Sequence, residues 1–309
     1  MEDYGDIINL LPDSIKKQAA RIISGISKLQ EIRLRVNEYA AVICDNREYF
    51  LDENGRERIK ESDVKECFKK VSEYSAYAYE EELRNGYITI RGGHRVGVAG
   101  KAIVSDGHIK NIRYVSFINI RVARQVKGCS DRIAKYILSE DKIHNTLIIS
   151  PPGGGKTTLL RDIIRRISSG DGCIKGVNVG VVDERSEICA CYRGVPQNDV
   201  GIRTDVLDAC PKAEGIVRMI RSMSPVVIAA DEIGTKEDMA AIGYAMVSGC
   251  GVIATIHGCG MEDISNNRLV NDAIKEKRFD RFIIMSGRNN AGNVLCVRDA
   301  EGRILYDGS

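Results

Sequence analysis

The sequence predicts an α/β protein in which a parallel-sheet domain follows a smaller α+β domain. Three observations carry that reading. From about residue 141 onward, short apolar runs alternate with helical segments, and strands buried on both faces between helices make a parallel sheet. One junction in that half, after the apolar run Thr146-Leu-Ile-Ile149, reads Ser150-Pro-Pro-Gly-Gly-Gly-Lys-Thr157 and then opens a helix. Before residue 125 the pattern differs: helical stretches stand apart from strands of alternating polarity punctuated by glycine. The expected division is an N-terminal α+β domain over 1–125, a linker with a short helix over 126–140, and an α/β domain over 141–309. A chain of 309 residues is long enough to bury two cores.

The elements follow in order. Residues 12–27 form an amphipathic helix with Ile15, Ala19, Ile22 and Ile26 on one face. Glu31-Ile-Arg-Leu-Arg-Val36 alternates polar and apolar, as a half-buried strand does, and Ala40-Ala-Val-Ile-Cys44 is a second strand. Asp52-Glu-Asn-Gly-Arg56 is a turn, and residues 62–84 are helical. From Tyr87 to Arg124 short strands recur between glycines, and a short helix occupies 130–138. In the second half, strands are expected at 146–149, 177–182, 226–230, 252–256 and 282–285. Helices are expected at 157–168, 211–223, 237–248 and 264–278, and the tail over 293–306 reads as two strands around Ala300-Glu-Gly302.

Composition excludes several classes of function. The formal net charge is only +2, and no basic stretch is interleaved with aromatics, so neither a nucleic-acid partner nor an anionic membrane is implied. No run approaches the apolar length of a membrane span. The acidic start, Met1-Glu-Asp-Tyr-Gly-Asp6, lacks the basic opening of a signal peptide, which points to a cytosolic protein with reduced thiols. The ten cysteines run from Cys44 to Cys296. Cys189 and Cys191 form a Cys-x-Cys without a second ligand pair at metal-site spacing, so they read as small buried side chains. Cys259 follows His257 by two residues and also reads as structural.

The glycine-rich junction is a phosphate-binding loop. Gly153, Gly154 and Gly155 let the backbone turn tightly and aim N–H groups inward, and Pro152 through Thr158 would wrap a nucleotide's phosphates. Lys156 brings a cation for the β- and γ-phosphates, Thr157 brings a hydroxyl for Mg²⁺, and the helix that starts here favours anions at its N-terminus. Ser150 stands where the usual pattern has its first glycine.

Two further strands end in acids. Pro225-Val-Val-Ile-Ala-Ala-Asp-Glu-Ile233 places Asp231 to reach the Mg²⁺ shell and Glu232 to orient or deprotonate an attacking water. Buried carboxylates need a compensating cation, and Lys156 with Mg²⁺ supplies one. Val179-Gly-Val-Val-Asp-Glu-Arg-Ser-Glu187 offers Asp183, Glu184 and Glu187 to the metal's outer shell or to water, with a salt-bridged loop around Arg185 as the alternative. His257, just past the apolar strand in Ala254-Thr-Ile-His-Gly258, falls on the same sheet edge and can sense the γ-phosphate.

In that order, Gly-Gly-Lys-Thr-Thr158, Val-Val-Asp-Glu-Arg-Ser-Glu187, Ile-Ala-Ala-Asp-Glu-Ile-Gly234 and Ala-Thr-Ile-His-Gly258 resemble the secretion ATPases of the type II/type IV superfamily. Those enzymes carry a phosphate loop, an acidic box, a second acidic motif and a histidine box in the same sequence. Within that superfamily the chain is most similar to the stage III sporulation AA family, through Gly92-Gly-His-Arg-Val-Gly-Val-Ala-Gly100, Pro196-Gln-Asn-Asp-Val-Gly-Ile-Arg-Thr-Asp-Val-Leu-Asp208 and Ile220-Arg-Ser-Met-Ser-Pro225. The resemblance implies a RecA-like ATPase domain that hydrolyses ATP with Mg²⁺. Glu232 would be the catalytic carboxylate, His257 the box histidine, and Asp183 or Glu184 the box acid. Arginines of the N-terminal domain would reach the γ-phosphate, which points to Arg95 and Arg121, with Arg91, Arg124 and Arg203 as alternatives. It further implies a homo-oligomeric ring, a hexamer, driving a sporulation channel between mother cell and forespore. That ring would be cytoplasmic, at the inner face of the mother-cell membrane, with the channel's membrane proteins as partners. Two other readings share the same core: a nucleic-acid translocase, against which the near-neutral charge speaks, and an ATP-dependent assembly scaffold with little turnover, against which Glu232 speaks.

Overall fold

The computed structural model describes residues 4–25, 28–51, 58–75, 79–84, 86–139, 142–170 and 174–308. Its backbone contacts separate two compact units, Met1–Arg124 and Gln125–Ser309.

The first unit opens with α1 (Gly5–Leu10) and α2 (Asp13–Ser24). Pro12 fixes an extended entry to α2 and Gly25 follows its end. The buried face is Ile15, Ala19 and Ile23, at a spacing of four; Ile22, expected on that face, is only partly buried, and Ile26 lies outside the described residues. Then come β1 (Leu29–Arg35), β2 (Ala41–Cys44) and β3 (Arg47–Phe50). The turn expected at 52–56 lies outside the described residues. The helical stretch expected over 62–84 is two helices, α3 (Glu61–Val71) and α4 (Glu80–Arg84). Glu73 and Tyr74 take left-handed backbone after α3 and stop it.

The strands expected to be short after residue 87 are one short strand, β4 (Tyr87–Thr89), and a long hairpin, β5 (Arg95–Ser105) with β6 (His108–Arg121). Asp106 and Gly107 both have positive φ, at 55° and 77°, which makes the two-residue turn whose twist matches the hairpin. The sheet order is β3-β2-β1-β6-β5-β4, antiparallel throughout. Ile32 and Leu34 of β1, Val96 of β5, and Ile118 and Ile120 of β6 join Ile15, Ala19, Val64 and Cys67 in one core.

The second unit begins with α5 (Ala134–Ile137) and a small ribbon of β7 (Leu138–Ser139) and β8 (Lys142–Ile143). Its segment before α5 is pinned to the unit by Asp162. That buried carboxylate accepts the N–H groups of Gly128 (3.0 Å) and Ser130 (2.9 Å) and the Ser130 hydroxyl (2.6 Å). Next are β9 (Thr146–Ser150), α6 (Lys156–Ser169), β10 (Val179–Asp183), β11 (Thr204–Asp208) and α7 (Lys212–Met223). They are followed by β12 (Val227–Ala230), α8 (Lys236–Val247), β13 (Gly251–His257), α9 (Met261–Ser265) and α10 (Arg268–Lys275). The unit closes with β14 (Arg281–Met285), β15 (Val294–Asp299) and β16 (Ile304–Asp307).

The eight strands run in the order β11-β10-β12-β13-β9-β14-β15-β16; the first six are parallel and the last two antiparallel. Every residue of β9, β10 and β12 is buried. Alternate residues of one strand feed two cores on opposite faces: Ile148 joins Ile163 and Ile167 of α6, while Leu147 and Ile149 join Ile228, Ile242 and Phe279. Edge strand β11 was not expected, because its Asp205 and Asp208 break the apolar run and all its residues are half-buried. The helix expected over 264–278 is interrupted at Asn267, whose side chain accepts from Leu269 N and caps α10. Among the described residues, no helix is long and apolar enough to cross a membrane.

Candidate nucleotide site

Three parallel strands, β9, β13 and β12, lie side by side, so their C-terminal ends deliver the phosphate loop, His257 and the Asp231–Glu232 pair to one sheet edge. β9 ends at Ser150, which is fully buried and in register with His257. The Ser150 hydroxyl donates to the Pro151 carbonyl at 3.0 Å. A Cβ on Gly154 would stand 2.3 Å from that hydroxyl oxygen and 2.4 Å from the Ser286 carbonyl. Ser150 thus fixes the loop's entry, and Gly154 packs against it where no other residue fits. Gly153 and Gly155 take left-handed φ of 74° and 97°. The loop is braced by Gly154 N to Pro151 O (3.1 Å) and by Gly292 N to Gly154 O (2.8 Å).

α6 begins at Lys156, and Gly155 places no side-chain cap on its first turn. Those leading N–H groups and the helix dipole suit a phosphate. Pro152 and Gly153 are exposed, and Gly155, Thr157 and Thr158 are half-buried. Lys156 is 7% exposed, and its Nζ donates to Glu232 Oε1 at 2.8 Å. His257 Nε2 lies 2.9 Å from the same oxygen and 3.3 Å from Lys156 Nζ. The other oxygen, Oε2, is 2.8 Å from Arg185 Nη1. Burial pushes the Glu232 carboxyl up, but Lys156, Arg185 and His257 outweigh it and leave the group below the usual glutamate range. Glu232 is therefore an ionised acceptor at neutral pH. Its backbone is left-handed, φ 55°, a conformation rare outside glycine and concentrated at functional sites.

Thr157 Oγ1 donates to Asp231 Oδ2 at 2.6 Å. Thr255, in the middle of β13, joins the two acids: its hydroxyl donates to Asp231 Oδ1 and accepts the Glu232 N–H at 2.9 Å. Among the described residues there is no group of three or more His, Cys, Asp or Glu side chains that would hold a metal by itself. A hydroxyl beside a carboxylate, 2.6 Å apart in Thr157 and Asp231, is an oxygen donor set that suits Mg²⁺ next to a phosphate. Thr157 and Asp231 are the groups present for it.

The second acidic strand end is built differently. Both oxygens of Asp183 are taken by its own following loop: Oδ1 accepts Glu187 N at 2.8 Å, and Oδ2 accepts Ile188 N at 2.9 Å and Cys189 N at 2.8 Å. Asp183 is 2% exposed, and burial outweighs these donors and pushes its carboxyl up to about 6. Three of the roughly four acceptor sites of Asp183 thus face its own backbone, and its carboxylate lines the same small cavity as Asp231 and Glu232. Glu184 pairs with Lys212, and the Glu187 carbonyl accepts from Arg161 at 2.6 Å. Cys189 and Cys191 are buried thiols, as expected.

Arg95 and Arg121 belong to the first unit, where they face each other across β5 and β6. The Arg95 guanidinium lies 4.6 Å over the Tyr87 ring, and Arg121 Nε is 3.9 Å from Glu31 Oε1. Of the alternatives, Arg124 reaches Tyr4 Oη and the Leu29 carbonyl, each at 3.3 Å, and Arg91 is exposed. Arg203 is held by the Ser168 carbonyl at 2.9 Å, where it closes the C-terminal end of α6. Two residues of the cluster were missed from sequence. Thr255 left a signal, a lone hydroxyl in the apolar run Val252-Ile-Ala-Thr-Ile256. Arg185 was read only as a partner for its own loop.

Comparisons with known proteins identify the family and the fold. A model of the family described as Sporulation stage III, protein AA matches residues 1–305. Stage III sporulation protein AA of Bacillus subtilis (strain 168) is 41% identical over 301 residues, covering 97% of this chain and 96% of its own length. Among solved structures, the Legionella pneumophila ATPase DotB superposes with a TM-score of 0.58 at 16% identity, over 89% of this chain and 76% of that one. The pilus retraction motor PilT, solved with bound ADP, superposes with a TM-score of 0.59 at 17% identity, over 87% and 76%. At such identities the two structures establish the fold, the RecA-like α/β fold of secretion and pilus ATPases.

Proposed function

The chain belongs to the family of sporulation stage III protein AA, and from that premise we propose that it is a Mg²⁺-dependent ATPase. One observation carries the reading: Lys156, Thr157, Asp231, Glu232 and His257, from three different strand ends, converge within hydrogen-bond distance at the mouth of a phosphate loop. Such a cluster of cation, hydroxyl, carboxylates and uncapped helix start suits phosphoryl transfer to water.

In this mechanism the N–H groups of Gly153 through Thr158 cradle the phosphates. Lys156 exchanges Glu232 for phosphate oxygens. Thr157 and Asp231 are the residues that would hold Mg²⁺, which would supply charge neutralisation at the phosphates. Glu232, freed from Lys156 and ionised, accepts a hydrogen bond from the attacking water and aligns it. His257, beside the same oxygen, donates where charge develops on the γ-phosphate. Arg95 and Arg121 are assigned the role of closing arginines.

The working form is a homo-oligomeric ring, a hexamer, acting with the membrane proteins of a sporulation channel on the mother-cell side. The family and the secretion-ATPase fold support this part of the proposal. The test is ATP binding and hydrolysis by the full chain and by Lys156→Ala. Loss of the phosphate cation should weaken ATP binding by about 100-fold or more, since charge-assisted contacts to phosphate are among the strongest. Unchanged affinity in Lys156→Ala would remove the loop from the site.

A further inference from the structure

We propose that Arg185 is a positioning residue for Glu232, and that the loop after β10 exists to aim it. The proposal rests on the ATPase reading and adds a member to that site. Glu232 has its two oxygens engaged by different groups: Oε1 by Lys156 and His257, Oε2 by Arg185. In the proposed mechanism Lys156 turns from Glu232 to the phosphates. When it turns, the carboxylate loses its most buried cation while polyanionic phosphate arrives beside it. Glu232 would then swing away unless another cation held it. Arg185 holds it by the far oxygen, which leaves Oε1 to meet the attacking water once Lys156 turns to the phosphates.

The loop is built for this work. Asp183 ties the N–H groups of Glu187, Ile188 and Cys189, and the Ser186 hydroxyl donates to Asp208 Oδ1 at 2.7 Å. Ser186 takes a left-handed φ of 52°, so the chain reverses just after Arg185. Arg161 of α6 fastens the far side through the carbonyls of Glu187 and Ile188. Arg185 thus projects from a turn fixed to both β11 and the phosphate-loop helix. Its side chain is 66% exposed, and its guanidinium meets the Glu232 carboxylate.

The experiment measures steady-state ATP hydrolysis and ATP affinity for the full-length chain, Arg185→Ala, Arg185→Lys, Glu232→Gln and the Arg185→Ala/Glu232→Gln double variant. For a group that orients a catalytic carboxylate, Arg185→Ala should lower kcat by about tenfold or more while ATP affinity stays within about threefold. Arg185→Lys keeps the charge and should recover most of kcat, and the double variant should be no slower than Glu232→Gln alone. A wild-type kcat in Arg185→Ala overturns the proposal. So does a loss confined to KM, or a loss that adds in full to that of Glu232→Gln. A wild-type chain that binds ATP without turnover overturns the ATPase reading first, and with it this one.

Discussion

Two neighbouring strands of the parallel sheet, β10 and β12, end in the same two letters, Asp-Glu, and their carboxylates do different things. At the end of β12, Asp231 meets two threonine hydroxyls and Glu232 meets Lys156, His257 and Arg185. At the end of β10, Asp183 closes onto three backbone N–H groups of its own loop and Glu184 onto Lys212. The difference follows from strand order. β12 is separated from the phosphate loop by β13 alone, and β13 contributes the connecting Thr255 and His257. β10 lies one strand further out, beside the edge strand β11. An acid there has no cation of the loop to answer, and its loop's orphan donors claim it instead. The comparison teaches that strand order sets which groups answer an acid, and that the loop after the outer strand meets the inner acid through Arg185.

The sharpest way to break this contrast is to remove each aspartate. Asp183→Ala leaves three N–H groups unpartnered in the interior, so stability should fall by about 2–4 kcal/mol in denaturant unfolding. Asp231→Asn keeps its acceptor toward threonine and should cost less than about 1 kcal/mol. Equal losses would erase the distinction. The pH dependence of Asp183 should come next in size. Its folded carboxyl lies at about 6, above its ordinary value. Between about pH 4 and pH 6 the folded chain keeps a proton that the unfolded chain has released, so the group's contribution declines as pH rises through that window. The stability advantage of the wild type over Asp183→Asn should therefore shrink by about 2–3 kcal/mol from pH 4 to pH 7. Asp162 runs the other way: its hydrogen bonds hold it at about 2 against burial, so its contribution is complete above about pH 4 and fades only as pH falls toward 2. A flat difference for Asp183→Asn would mean its burial is compensated. A further effect is catalytic. Asp231→Asn should need about tenfold more Mg²⁺ for half-maximal hydrolysis, a change of about 1.4 kcal/mol, measured by magnesium titration.

The phosphate loop, the acid pair of β12 and His257 were legible because each stands at the end of an apolar run, and strand ends of a parallel sheet share one edge. Hairpin β5–β6 was legible only in part: Asp106-Gly107 marks its turn, but the exposed strand residues on either side hide its length. β11 was hidden by its own acids, since an edge strand need not be apolar. The role of Asp183 could not be read from sequence, because a carboxylate facing its own backbone and one facing a metal are spelled alike. Arg185 was obscured for the opposite reason: its partner Glu232 lies far along the chain, and only strand order brings them together.

The most direct test of the central claim compares ATP turnover in Glu232→Gln and Glu184→Gln under matched ATP and Mg²⁺, with ATP binding measured in both. Glu232→Gln should bind ATP normally and hydrolyse it about 10²–10⁴-fold more slowly, the usual contribution of a positioned catalytic carboxylate. Glu184→Gln removes a partly exposed ion pair and should retain turnover within about threefold, since such pairs contribute little. Full activity in Glu232→Gln, or an equal loss in Glu184→Gln, would contradict the account.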